Sequence, residues 1–381
     1  MGLTTGLTRR DDAAERAAMR RALELAAAPD VPLGPNPRVG CVLLDEQGRT
    51  VAEGHHRGAG TPHAEAEALA RAGEAARGTT AVVTLEPCNH TGRTGPCATA
   101  LVHAGVRRVV FAQADPNPVA AGGAATLAAS GVDVAAGLLA DEARALNPVW
   151  TFAVEHGRPF VTWKLAATLD GRSAAADGSS RWVSSRAARL DAHRLRARCD
   201  TMLVGTGTVA VDDPLLTVRD EQDRPLERQP LRAVMGERDL DPDRRILDPR
   251  LSGGAETVHL RTRDPHAALG RLFARDRQHV LLEGGPTLAA AFLRAGLVDE
   301  VVVYVAPMLL GAGLSAVGDL GITTIADAWR PEVIDITVLE PAQPVDGQPP
   351  DPADRQPNVR LTLAPTAGRG TSPHPQTRGD S

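Results

Sequence analysis

The chain has 381 residues, 43% of them hydrophobic and 23% charged, with a net charge of −5 and aromatics at only 3%. That length favours two domains with separate cores, and the acidic balance with few aromatics argues against a nucleic-acid binder. No run approaches 18 apolar residues, Met1–Thr8 has no apolar targeting segment, and four cysteines suit a reducing compartment, so a cytoplasmic chain without a membrane partner is expected.

Residues 11–28 read as an amphipathic helix, with Asp11 and Asp12 at its start, Met19, Leu23 and Ala26 on one face, and Pro29 at its end. Gly34 to Pro37 is a rigid loop, residues 38–44 and 50–54 are strands, and Pro62 opens a helix carrying His63 and Glu65. Residues 79–85 form an apolar strand ending at Glu86-Pro87-Cys88, and Cys97 begins a helix. Strands at 106–112 and 132–136 alternate with helices at 124–129 and 141–146. This pattern predicts a three-layer α/β/α domain over residues 10–147, with a boundary marked by Asn147-Pro148 and Gly157-Arg158-Pro159.

A second α/β domain is expected over residues 159–365. It has strands at 160–166, 201–204, 231–235, 279–282 and 301–305, a basic helix at 185–198, and a helix at 287–295. Residues 336–339 and 359–363 look like a closing pair of strands, 341–358 a flexible Pro/Asp-rich loop, and 366–381 a disordered tail. There is no internal repeat.

The chemistry concentrates in two stretches of the first half, His63-Ala64-Glu65 and Glu86-Pro87-Cys88 followed by Pro96-Cys97. One imidazole and two thiolates suit zinc and leave a fourth tetrahedral position for a reacting water. Glu65 is near enough to carry protons without binding the ion. His-x-Glu with Pro-Cys-spacer-Cys is the signature of zinc-dependent nucleobase deaminases. The nine-residue cysteine spacing departs from C-x-x-C, and His90 inside the loop could instead complete a structural zinc. Cys41, in an apolar strand, and Cys199 read as inert. In the second half, Gly205-x-Gly207-x-x-Ala210 fits a dinucleotide fingerprint superficially, but Pro214 follows too soon for a crossover helix. A Gly-rich turn close to a cofactor is the better reading. Glu283-Gly284-Gly285-Pro286-Thr287-Leu288 is a cleaner phosphate cradle, with a plain strand-to-helix turn as the alternative.

Taken together, several stretches resemble the bifunctional deaminase–reductase family of riboflavin biosynthesis. They are residues 35–41, 63–65, 84–88, 92–94, 115–118, 164–165, 169–172, 212–219 and 283–287, in the family's order. The resemblance implies a cytidine-deaminase-like domain followed by a dihydrofolate-reductase-like domain. The first would hydrolytically deaminate a phosphoribosylated diaminopyrimidine. The second would use NADPH to open and reduce the ribosyl group to ribityl. It also implies one zinc per chain on His63, Cys88 and Cys97, with Glu65 as the proton carrier. Ala166, Trp182, Thr208, Asp212 and the run Gly285, Pro286, Thr287, Leu288, Ala289, Ala290 and Ala291 fall where the family contacts NADPH. Ser180, Arg196, Leu216, Arg219 and Glu283 fall where it holds substrate, and the two arginines match a phosphate. Gly236-Glu237-Arg238 departs from the family pattern, and the insertion at 341–358 has no counterpart. The competing expectations are a monofunctional zinc deaminase with an inactive second domain, and a structural-zinc module binding RNA. A homo-oligomer is compatible with either enzyme.

Overall fold

The computed structural model describes residues 9–29, 31, 33–90, 95–251, 253–341 and 352–366. The motif residues Gly92, Arg93 and Thr94, most of the 341–358 insertion and residues 367–381 of the expected tail lie outside the described residues. The chain divides into two units, one ending at Gly157 and the other starting at Arg158.

In the first unit the elements run α1 (Arg9–Ala26), β1 (Gly40–Leu44), β2 (Thr50–His55), α2 (Ala64–Ala72), β3 (Thr80–Leu85), α3 (Cys97–His103), β4 (Arg108–Gln113), α4 (Gly123–Ala129), β5 (Asp133–Ala136), α5 (Ala140–Leu146) and α6 (Pro148–His156). The sheet order is β2-β1-β3-β4-β5; β1 runs antiparallel to both neighbours, and β3, β4 and β5 are parallel. Both faces of the sheet are covered, so β1, β3 and β4 are buried along their whole length and read as unbroken apolar runs. Alternation still sorts their side chains. Cys41, Leu43, Ala81 and Val83 pack with Ala64, Ala68, Leu101 and Leu127 on one face. Val42, Leu44, Val82 and Val110 pack with Met19, Ala22 and Ala143 on the other. The three layers match the expectation. The expected boundary at Asn147-Pro148 is instead the start of α6: Pro148 occupies the first helical turn, where its missing N–H costs nothing, and Gly157 ends the helix in a left-handed conformation.

In the second unit the order is β6 (Phe160–Thr168), β7 (Arg172–Ala174), α7 (Arg186–Ala197), β8 (Thr201–Gly205), α8 (Thr206–Asp212), β9 (Leu231–Met235), β10 (Thr257–Leu260), α9 (Pro265–Phe273), β11 (His279–Leu282), α10 (Pro286–Arg294), β12 (Glu300–Ala306), β13 (Leu314–Ser315), β14 (Glu332–Leu339) and β15 (Asn358–Ala364). Eight strands form one sheet in the order β10-β9-β8-β11-β6-β12-β15-β14, parallel up to β12 and antiparallel beyond it, and β7 pairs with β13. From β8 the chain moves outward to β9 and β10, then returns to β11 on the other side of β8. The carboxyl ends of β8 and β11 therefore flank a topological switch point, where α/β sheets bind ligands. The segment 206–212, expected as a turn, is a short helix that stops at Asp213, whose φ is +41°. The strand β10 and helix α9 were not anticipated, although the Asp264 carboxylate accepts from the N–H groups of His266 and Ala267 as an ordinary N-cap ahead of Pro265.

Candidate active sites

At the deaminase-like site, His63 is the N-cap of α2 rather than its first-turn residue, and its imidazole makes no capping bond. Its Nδ1 lies 3.5 Å from the Sγ of Cys88 and 3.3 Å from the Sγ of Cys97. Cys88 follows the carboxyl end of β3, and Cys97 is the first residue of α3, its N–H 3.4 Å from the Cys88 Sγ. The three donor atoms all lie within 4.8 Å of one another, and among the described residues His90 does not join them. Three converging soft and borderline donors, without a fourth side chain among the described residues, fit a catalytic rather than a structural zinc. The thiols titrate as a pair. Cys88 is pulled down to about 4, chiefly by the hydrogen bond from the Cys97 thiol, while that bond and burial push Cys97 up. Glu65, in the first turn of α2, is only 3% exposed. Burial drives its carboxyl up to about 7.

Around these donors, side chains make long-range contacts that the motifs do not announce. The His56 ring packs edge-on against His63, with centroids 5.4 Å apart. His56 Nδ1 lies 2.9 Å from the Pro62 carbonyl and its Nε2 2.9 Å from the Asn36 amide, contacts that one neutral tautomer satisfies together. The buried Glu86 carboxylate accepts from the N–H groups of Asp115, Gly122 and Ala124, tying the end of β3 to the segment leading into α4. Asp115 is pushed up to about 6 by burial and by the neighbouring Glu86. Gly123 closes this contact: a Cβ there would sit 1.7 Å from the Pro87 carbonyl oxygen. Gly123→Ala must therefore displace the Pro87–Cys88 peptide. The expected result is a loss of about 1–3 kcal/mol in stability and less than one zinc per chain by metal analysis. Wild-type melting and zinc content would refute it.

The second unit holds a cavity of about 600 Å³ lined by Lys164, Trp182, His193, Arg196, Asp212, Leu216, Arg219 and Tyr304, among others. Five of the residues predicted for this half, Trp182, Arg196, Asp212, Leu216 and Arg219, therefore share one wall system. Ser180, Ala166, Thr208, Glu283 and the 285–291 run are not among its lining residues. Arg196 Nε and Nη2 each lie 2.7 Å from an oxygen of Glu283, so its guanidinium fork grips that carboxylate. Burial alone would raise Glu283, but Arg196 and Lys164 hold it down to about 2. Burial lowers Lys164, whose ammonium lies 5.7 Å from the Tyr304 ring centroid. Trp182 is 52% exposed, with the Arg189 guanidinium 4.4 Å from its ring centroid.

The glycine cradle sits at the switch point. Gly285 is the N-cap of α10, and a Cβ at Gly285 or at Gly207 would meet open space. A Cβ at Gly284 would be 2.5 Å from Leu288 Cδ2. Backbone stripped of side chains before a positive helix end fits the phosphates of a dinucleotide. Ala289 and Ala290 face inward and are buried, whereas Gly285 and Thr287 are exposed. Cys41 and Cys199 are free and buried, and burial pushes both thiols up, as expected of inert cysteines.

A hydrolytic metal centre on one α/β unit and a dinucleotide-type switch point on the next define a two-domain deaminase–reductase. Residues 13–113 match the cytidine and deoxycytidylate deaminase zinc-binding region, and residues 159–338 match the RibD C-terminal domain. The riboflavin biosynthesis protein RibD of Mycobacterium tuberculosis is 51% identical over 298 residues, covering 78% of this chain and 86% of the relative. Its Escherichia coli counterpart is 42% identical, covering 81% and 92%. The solved structure of Acinetobacter baumannii RibD is 37% identical with a TM-score of 0.79, covering 93% of this chain and all of that one. A Thermotoga maritima structure, described as a diaminohydroxyphosphoribosylaminopyrimidine deaminase and 5-amino-6-(5-phosphoribosylamino)uracil reductase, is 29% identical with a TM-score of 0.73. The chain belongs to the RibD family. It is a bifunctional riboflavin-biosynthesis enzyme with zinc and NADPH as cofactors, not a monofunctional deaminase.

Proposed function

We propose that residues 10–147 deaminate 2,5-diamino-6-hydroxy-4-(5-phosphoribosylamino)pyrimidine and that residues 159–365 then reduce its ribosyl group to ribityl. The observation that carries the first assignment is the convergence of His63, Cys88 and Cys97 beside the buried Glu65. Zinc on those three donors would supply the Lewis acid that makes water nucleophilic near neutral pH. Glu65 takes one proton from the attacking water and gives it to the ring nitrogen, then takes the second from the hydroxyl added to the ring carbon and gives it to the amino group, which leaves as ammonia. Its burial keeps that carboxyl away from bulk water between transfers. The Thermotoga relative's pair of activities supports both substrate assignments.

In the second half, NADPH would supply the hydride. Gly285 and Thr287 hold its phosphates at the start of α10, with Pro286, Leu288, Ala289, Ala290 and Ala291 shaping that helix end, while Ala166, Trp182, Thr208 and Asp212 border the remainder. Arg219 and Ser180 grip the sugar phosphate. Leu216 and the Arg196–Glu283 pair face the sugar. Both oxygens of the buried Glu283 carboxylate take the Arg196 fork, whereas Arg219 pairs through Nη1 with the exposed Asp223 carboxylate, a contact a phosphate can displace, so the phosphate falls mainly to Arg219.

Among the described residues no helix is long and apolar enough to cross a membrane. The proposed reading is a cytoplasmic enzyme of small molecules that binds neither membrane nor nucleic acid. A homo-oligomer is testable by light scattering.

The decisive experiment incubates the protein with the diaminopyrimidine, with and without NADPH, and reads products by mass. Without NADPH only the deaminated intermediate should appear; with it, the ribityl product. Dialysis against a zinc chelator should abolish the first step and leave NADPH oxidation on supplied intermediate intact. Loss of both activities together would sink the two-site assignment.

A further inference from the structure

Leu215, Leu216, Thr217 and Arg219 line one wall of the reductase cavity, and in this segment Leu216, Thr217 and Val218 are buried without belonging to a strand or helix. Buried irregular backbone must find hydrogen-bond partners outside the usual ladders. Here side chains from several elements supply them. Arg232 Nη1 donates to the Leu215 carbonyl at 3.2 Å, and Arg196 Nη1 to the Thr217 carbonyl at 3.4 Å. The Gln229 amide takes both sides of Val218, accepting its N–H at 2.8 Å and donating to its carbonyl at 2.9 Å. The Arg219 N–H donates to His193 Nδ1 at 3.3 Å. Arg232 is only 1% exposed and spends its cation on carbonyls, an expensive arrangement for a segment with no role beyond connection. Leu216, at φ +51°, is held in a conformation that non-glycine residues avoid.

Both His193 and Arg196 hold the wall and line the cavity, and of the two it is His193 that contacts the Arg219 peptide. It comes from α7, one turn before Arg196. Burial, then Arg196 and Arg219, pull its pKa down to about 4 against the opposing pull of Glu283 and Asp223. The ring is therefore neutral at working pH and its Nδ1 lone pair is open to the Arg219 N–H. We propose that His193 is a positioning residue for the reduction step, fixing the Arg219 peptide through Nδ1 and so aiming the Arg219 guanidinium at the sugar phosphate of the substrate. This rests on the reading of Arg219 as the phosphate-gripping side chain. The class of ligand served is a ribose phosphate, and the effect belongs to substrate capture rather than to hydride transfer.

Amide isosteres separate this role from acid–base work by the other ring nitrogen. Asparagine places its oxygen near the position of Nδ1, and glutamine near that of Nε2. With the deaminated intermediate supplied, His193→Leu should raise KM about tenfold, the size of one lost hydrogen bond, with a smaller change in kcat. NADPH affinity by fluorescence titration and the deaminase rate should stay at wild-type values. His193→Asn should recover most of the loss and His193→Gln should not. Recovery by glutamine alone would overturn the proposal in favour of Nε2 chemistry. Equal losses of NADPH affinity and melting temperature in all three variants would reduce His193 to a structural residue. Arg219→Ala separates the premises: an unchanged KM there refutes the phosphate reading, whereas a raised KM there with a wild-type KM in His193→Leu refutes this proposal alone.

Discussion

Glu65→Gln is expected to lower the deamination rate by about 10²–10⁴-fold, the range of positioned proton transfer. Zinc content and the reduction of supplied intermediate should remain at wild-type levels. The amide matches the carboxyl in shape, so a side chain only 3% exposed is replaced without a cavity. What changes is the ability to accept a proton and pass it on. Glu65 is not one of the three converging donors, so the ion should stay bound. Stopped-flow absorbance of the diaminopyrimidine, alongside metal analysis of the same sample, checks both halves. A variant that keeps its zinc and its full rate would show that proton transfer runs through another group. One that loses its zinc would show that Glu65 holds the ion.

The second large effect belongs to the Arg196–Glu283 pair. Their side chains are 18% and 8% exposed, and both guanidinium–carboxylate contacts are 2.7 Å. Glu283→Gln leaves a largely desolvated guanidinium without its counter-charge, and breaking such a pair costs about 3–5 kcal/mol. The reductase unit should melt earlier, and NADPH oxidation should fall with it. The pH dependence has a definite sign. Glu283 is held down to about 2 in the fold, against 4.5 for the ordinary carboxyl. Its contribution to stability is therefore complete above about pH 4.5 and is lost as pH falls from there through about 2. The gap between wild type and Glu283→Gln in chemical denaturation should narrow over that window. A gap independent of pH between 5 and 2 would show that the pair is not ionised as described.

The legibility of the chain was uneven, for physical reasons that particular residues expose. The apolar runs at 80–85 and 279–282 were visible because burial on both sheet faces forces unbroken hydrophobic stretches. The helix at 148–156 was hidden because Pro148 is equally at home after a domain boundary and in a first helical turn. The short helix at 206–212 was hidden by its glycine and by the nearness of Pro214; packing of Val209 into the core holds it despite weak intrinsic preference. The metal donors could be read because each sits where a strand ends or a helix begins, so short motifs carry their placement. Arg196, by contrast, looked like a free phosphate clamp, and nothing near it in sequence announced Glu283, 87 residues away.

By itself, then, the amino-acid order determined the three-layer deaminase half, the α/β character of the reductase half, the donor set His63, Cys88 and Cys97, and Glu65 beside it. These depend on local periodicity and on residue types a few positions apart. Only the tertiary structure decided that Glu86 lashes the end of β3 to the segment before α4, that Glu283 occupies the Arg196 fork, and that His193 holds the Arg219 peptide. Such contacts join groups from distant segments. Their partners are selected by which buried polar atoms meet once the apolar faces have packed, and that selection leaves no spacing in the chain to read.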